Sequence, residues 1–73
     1  MEIYVLMKRR TDKCDQLFFN RVSGHWQPII TNQCRYDEPE DVTEDYLMLL
    51  DKHPEYLGQI VAQVAAWKDD NNA

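Results

Sequence analysis

The sequence predicts an α+β fold: a small antiparallel three-stranded sheet followed by one or two C-terminal helices. Three observations lead there. Apolar and β-branched runs separated by short turn signals fill the first half of the chain. From Tyr36 onward, proline, clustered acids and apolar residues spaced three and four apart take over. Charge divides at the same place: residues 1–36 carry six Lys/Arg against three Asp/Glu, and residues 37–73 two against ten, within a formal net charge of −5.

Glu2 to Lys8 is a near-continuous apolar run, the pattern of a central strand buried on much of both faces. Lys8 to Lys13 is too polar for a core and reads as an exposed loop. Gln16 to Val22 is the second strand, and Ser23-Gly24 supplies the turn, because glycine reaches the positive φ of a tight connection. The third strand starts at His25 or Trp26 and runs to Cys34. Pro28 cannot donate a ladder hydrogen bond, so this strand lies at an edge or begins in earnest at Ile29. Short connections favour a meander of neighbours.

Asp37-Glu38-Pro39-Glu40-Asp41 opens a helix, with proline suited to a first turn and acids favoured by the helix dipole. Asp41 and Glu44 have the spacing of a capping box, and Val42, Tyr46, Leu49 and Leu50 line one face. His53-Pro54 interrupts the pattern, which Tyr56, Leu57, Ile60, Val61, Val64 and Trp67 resume. Two helices are therefore expected, Asp41 to Lys52 and Pro54 to Lys68, with one kinked helix as the alternative. Residues 1–68 form one compact domain in this reading, and 69–73 a frayed tail.

A chain of 73 residues buries only about 60% of its unfolded-state surface. Aromatic residues spread from Tyr4 to Trp67 supply anchors for one core. The two cysteines, Cys14 and Cys34, fall short of a secreted disulfide scaffold, and the first apolar run, Ile3 to Met7, is far shorter than an export signal or membrane span. A cytoplasmic protein with reduced thiols is expected, a Cys14–Cys34 bridge being the alternative.

The acidic run offers the strongest chemical signal. Asp37, Asp41 and Asp45, and likewise Glu40 and Glu44, fall at helical spacings of about 6 Å and could pair with basic groups of a partner or imitate phosphates. A solvated helix start enriched in acid for the dipole is the plainer explanation, although it leaves Asp45 and Asp51 aside. Lys8, Arg9, Arg10, Lys13, Arg21 and Arg35 form the opposite pole. Phe18 and Phe19 are adjacent and point to opposite faces of a strand, so an exposed Phe18 would mark an interface. The candidate partner-binding residues are Lys8, Arg9, Arg10, Phe18, Asp37, Glu38, Asp41, Glu44 and Asp45.

Catalysis and metal binding have no such support. His25, His53, Cys14 and Cys34 lack the close ligand pairs of zinc sites, and no residue supplies an orienting base for a cysteine or histidine nucleophile. Gly24 and Gly58 are isolated, which leaves no phosphate-cradling loop and no cofactor motif. A noncatalytic binding module is expected. Direct nucleic-acid binding through the sheet aromatics and basic loop is disfavoured by the acidic balance, with a pI near 4.7.

The start MEIYVLMKRR, the hairpin FFNRVSGHWQP and the acidic segment DEPEDVTEDYLMLLDKHPEYL together resemble small phage-encoded host-takeover proteins, in particular Xanthomonas-phage regulators of host RNA polymerase. The resemblance implies a protein of the host cytoplasm that contacts bacterial RNA polymerase subunits. It further implies inhibition of initiation by weakened sigma attachment, and passage of elongating polymerase through terminators. It assigns no individual contact residue. The alternative from the residues alone is an acidic DNA mimic acting on another nucleic-acid enzyme, such as a restriction or CRISPR effector.

Overall fold

A computed structural model describes residues 2–9 and 16–66. Arg10, Lys13, Cys14, Trp67, Lys68 and the 69–73 tail lie outside the described residues. The described residues form four strands and one α-helix: β1 (Glu2–Arg9), β2 (Gln16–Phe19), β3 (Trp26–Gln27), α1 (Pro39–Lys52) and β4 (Ile60–Ala66). Short 3-10 turns, Asn32–Cys34 and Pro54–Tyr56, flank the helix in sequence. The sheet is antiparallel in the order β3-β2-β1-β4. The α+β class and the central place of β1 match the sequence reading, whereas the described sheet has four strands instead of the expected three because β4 joins it.

The helix covers one face of the sheet. Leu6 and Phe19 from the sheet meet Val42 and Leu49 from α1, together with Tyr36 and Ile60, in one buried cluster. Alternation along β1 sends Ile3 and Val5 to the other face, where Phe18, Ile30 and Ala65 pack on them. Ile3, Val5 and Leu6 are each at most 1% exposed, so β1 is buried on both faces as its continuous apolar run requires.

Three sequence expectations are corrected. The second helix over Pro54 to Lys68 does not form: a single 3-10 turn follows His53, Gly58 takes φ +84°, and the chain becomes β4. Ile60, Val61 and Val64 are β-branched, and seven rungs to β1, from Glu2↔Ala66 to Lys8↔Ile60, outweigh their helical spacing. The third strand ends at Gln27 instead of Cys34, because Pro28 has no N–H and Thr31 caps the Asn32–Cys34 turn by accepting from the Gln33 N–H. α1 begins at Pro39, two residues early, with Glu38 at the N-cap making no side-chain bond, so the Asp41/Glu44 capping box is not formed. Cys34 is a buried free thiol.

Asn20 organises the β2–β3 connection. Its Oδ1 accepts from the Val22 and Ser23 N–H groups, both at 2.9 Å, while its Nδ2 donates to Gln27 Oε1 at 3.0 Å and Gln33 Oε1 at 2.8 Å. Its backbone bonds His25 and Gly24, the latter at φ +80°. Asn20 is 6% exposed, so Asn20→Ala strands several polar groups away from water. We expect it to lower stability by about 2 kcal/mol in urea denaturation, a larger loss than a surface change gives.

Candidate partner-binding surface

Of the four described residues of the basic pole, Lys8, Arg21 and Arg35 make contacts within the chain. Lys8 Nζ lies 4.9 Å from the Trp26 ring centroid and 4.7 Å from that of Tyr56, so its charge is shared between two aromatic faces. Trp26 meets Phe19 at 5.3 Å and the edge of Tyr56 at 6.0 Å, tying β2, β3 and the turn before β4 together. Arg35 Nε bonds Asp37 Oδ1 at 2.6 Å. Arg21 stacks 4.1 Å from the Tyr36 ring centroid and donates through Nη1 to the Arg35 carbonyl at 3.0 Å. Arg9 is exposed at the end of β1.

Tyr36 joins the two halves of the chain. Its backbone bridges Tyr4 in both directions, N–H to carbonyl, at 2.8 and 2.9 Å, extending the sheet beside β1 where β2 has ended. Its side chain is fully buried, and its hydroxyl donates to Asp45 Oδ2 at 2.6 Å, which fixes the middle of α1 over the sheet. Burial foremost, then the Asp45 hydrogen bond and charge, hold the Tyr36 hydroxyl proton far above its ordinary release near pH 10. The unfolded chain therefore releases this proton at a pH where the folded chain keeps it. Its contribution to stability is complete below pH 10 and falls above it by about 1.4 kcal/mol per pH unit. Urea midpoints measured from pH 9 to 11 check this, with Tyr36→Phe expected to lose that component of the slope.

The predicted acidic row is consequently divided. Asp45 is half-buried against Tyr36, and Asp37 is paired with Arg35, so these two serve the fold. Glu38, Glu40, Asp41 and Glu44 remain exposed along the first two turns of α1. Phe18 is half-buried against the Ile3 and Val5 cluster and is not an exposed anchor. Of the nine predicted site residues, Glu38, Asp41 and Glu44 share one acidic surface, Lys8 and Arg9 lie at the far end of β1, and Arg10 is outside the described residues.

The sequence reading missed two features. Asn20 carried a visible signal, an Asx-type residue just before a Ser-Gly turn. The other is a set of exposed apolar side chains on α1 and β4, Leu47 at 58%, Val61 at 43% and Val64 at 50%, of which Val61 lines an open groove of about 410 Å³ with Thr43, Tyr46, Ile60 and Ala62. Among the described residues no group of three or more His, Cys, Asp or Glu could hold a metal ion. No helix among them is long and apolar enough to cross a membrane.

Among the described residues, fold and surface define a small α+β domain, one α-helix on a four-stranded antiparallel sheet, with an exposed acidic helix start. No protein-family model matches the chain, and no curated protein or solved structure matches it either.

Proposed function

We propose that this protein is a noncatalytic regulator that binds bacterial RNA polymerase in the host cytoplasm and inhibits initiation by weakening sigma attachment, with antitermination as a second consequence of the same binding. The observation that carries the reading is the residual charge. Lys8, Arg21 and Arg35 are engaged by groups of the chain itself, whereas Glu38, Glu40, Asp41 and Glu44 are exposed together at the start of α1. A preorganised acidic face suits a basic protein surface, where complementary charge speeds encounter and fixes orientation. The resemblance of the chain to phage regulators of polymerase supplies the choice of partner.

DNA mimicry is less well supported. A phosphate-like row needs Asp37, Asp41 and Asp45 together, and two of the three are occupied by Arg35 and Tyr36. The test is capture of purified bacterial RNA polymerase by the immobilised full chain over a salt series. Binding at 50 mM salt that declines steeply by 500 mM supports the proposal, and absence of binding at low salt overturns it.

A further inference from the structure

The two edges of the sheet are protected very differently. β3 is two residues long and stops at Pro28, a short edge of the kind that resists further pairing. β4 is seven residues, Ile60–Ala66, with no charge and no proline, and its side away from β1 is the end of the sheet order. An edge of this length and composition is a template for another strand. We propose that β4 pairs antiparallel with β4 of a second copy of this chain, about a two-fold axis at Gln63, to give a continuous eight-stranded sheet.

The register follows from the side chains. Centred on Gln63, the pairing sets Ile60 against Ala66, Val61 against Ala65 and Ala62 against Val64, so each β-branched residue meets an alanine of the other copy. Gln63 meets itself, and a primary amide can both donate and accept across a two-fold axis. Centring the pairing one residue away, on Ala62, would set Ile60 against Val64 and lose this fit. Directly opposed residues share a face, so Ala62 and Val64 meet on the helix-covered side and Val61 and Ala65 on the other.

The flank of α1 beside β4 is suited to the same partner. Thr43 and Tyr46 line the groove with Ile60 and Ala62, and exposed Leu47 follows Thr43 by one helical turn. Asp45 points instead to Tyr36, on the opposite side of β1 from β4. A two-fold perpendicular to the sheet therefore brings the two Thr43 and Tyr46 flanks together, with Glu40 and Glu44 of the adjoining groove nearby, and keeps the Asp45 carboxylate away from the seam. A basic partner gains no ion pair at this uncharged strand, whereas a second copy brings an equally uncharged one. Each copy carries −5, so added salt screens their mutual repulsion and strengthens this association, the reverse of its effect on the acidic helix face.

Sedimentation velocity of the full chain at rising concentration and salt tests the pairing. The expected result is a species of twice 8.7 kDa that grows with salt, and its conversion to monomer by Val64→Lys with an unchanged circular dichroism spectrum. Gln63→Cys supplies the second readout: mild oxidation is expected to cross-link position 63 of one copy to position 63 of the other, as mapped by mass spectrometry. Val61→Cys, which opposes Ala65, is expected to cross-link at least fivefold less. A monomer at every concentration and salt, a dimer that survives Val64→Lys, equal cross-linking at the two positions, or open-ended assembly overturns the proposal. Polymerase capture by the Val64→Lys chain is expected to match that of the unaltered chain, so the two readings fail separately.

Discussion

Replacing Tyr36 with alanine is expected to leave most of the protein unfolded at 25 °C. The ring is fully buried beneath Arg21 and within the Leu6, Phe19, Val42 and Leu49 cluster, and truncating such an aromatic costs about 3–5 kcal/mol. The same change leaves the Asp45 carboxylate, half-buried on α1, without the hydroxyl that donates to it, at a further cost of about 1 kcal/mol or more. Domains of this size sit near the lower end of the 5–15 kcal/mol range, at about 5 kcal/mol, so the loss is comparable to the whole stability. Tyr36→Phe separates the two parts. It keeps the packing and removes only the hydroxyl, and it is expected to fold with a loss of about 1–2 kcal/mol. Circular dichroism and urea titration of both variants check this. A Tyr36→Ala chain with the unaltered chain's urea midpoint would contradict the role assigned to the residue.

The second large effect concerns binding. Reversing Glu40, Asp41 and Glu44 together to lysine is expected to weaken polymerase binding on the order of 100-fold, about 2.7 kcal/mol, while the chain still folds. All three are exposed on α1 and none belongs to the buried cluster, so lost binding with an intact thermal transition isolates the surface from the core. Some helix stability is lost as well, because the dipole favours acids in the first turn, by about 0.3–1 kcal/mol per residue at low salt. The corresponding reversal at Asp37 and Asp45 is expected to act differently. Its effect falls on folding, through Arg35 and Tyr36, so binding measured on the fraction that folds should change less.

Local signals in the sequence account for much of the fold. β1 was legible because an apolar run with little polar interruption has one comfortable place, the centre of a sheet, and Ile3, Val5 and Leu6 are indeed almost wholly buried. α1 was legible from Pro39, its first-turn acids and the spacing of Val42, Tyr46 and Leu49. β4 was not. Its β-branched residues fall at helical spacing from Tyr56 and Leu57, and the rungs that decide the matter join Ile60–Ala66 to residues more than fifty positions earlier. Only Ile60 of that strand is buried among residues 60–66, so β4 also lacks the alternation that marks a half-covered strand.

The candidate surface shows the same limit. Spacing placed Asp37, Asp41 and Asp45 in a row, and spacing along the chain cannot show that Tyr36 turns back to take Asp45 or that Arg35 takes Asp37. The same holds for Lys8, whose charge reads as a loop feature in sequence and lies between two rings in the fold. The opening asymmetry of charge therefore becomes a narrower one: an acidic helix start open to a partner, beside basic residues of which Lys8, Arg21 and Arg35 are engaged by the chain itself.

Bacterial RNA polymerase as the partner of this acidic surface is the central proposal. Its most direct test is equilibrium binding of the fluorescently labelled full chain to purified bacterial RNA polymerase, in parallel with the Glu40, Asp41 and Glu44 triple reversal, from 50 to 500 mM salt. Saturable binding at low salt, lost on salt addition and on charge reversal, is the predicted result. No binding at 50 mM salt, or binding that the triple reversal leaves unchanged, would contradict it.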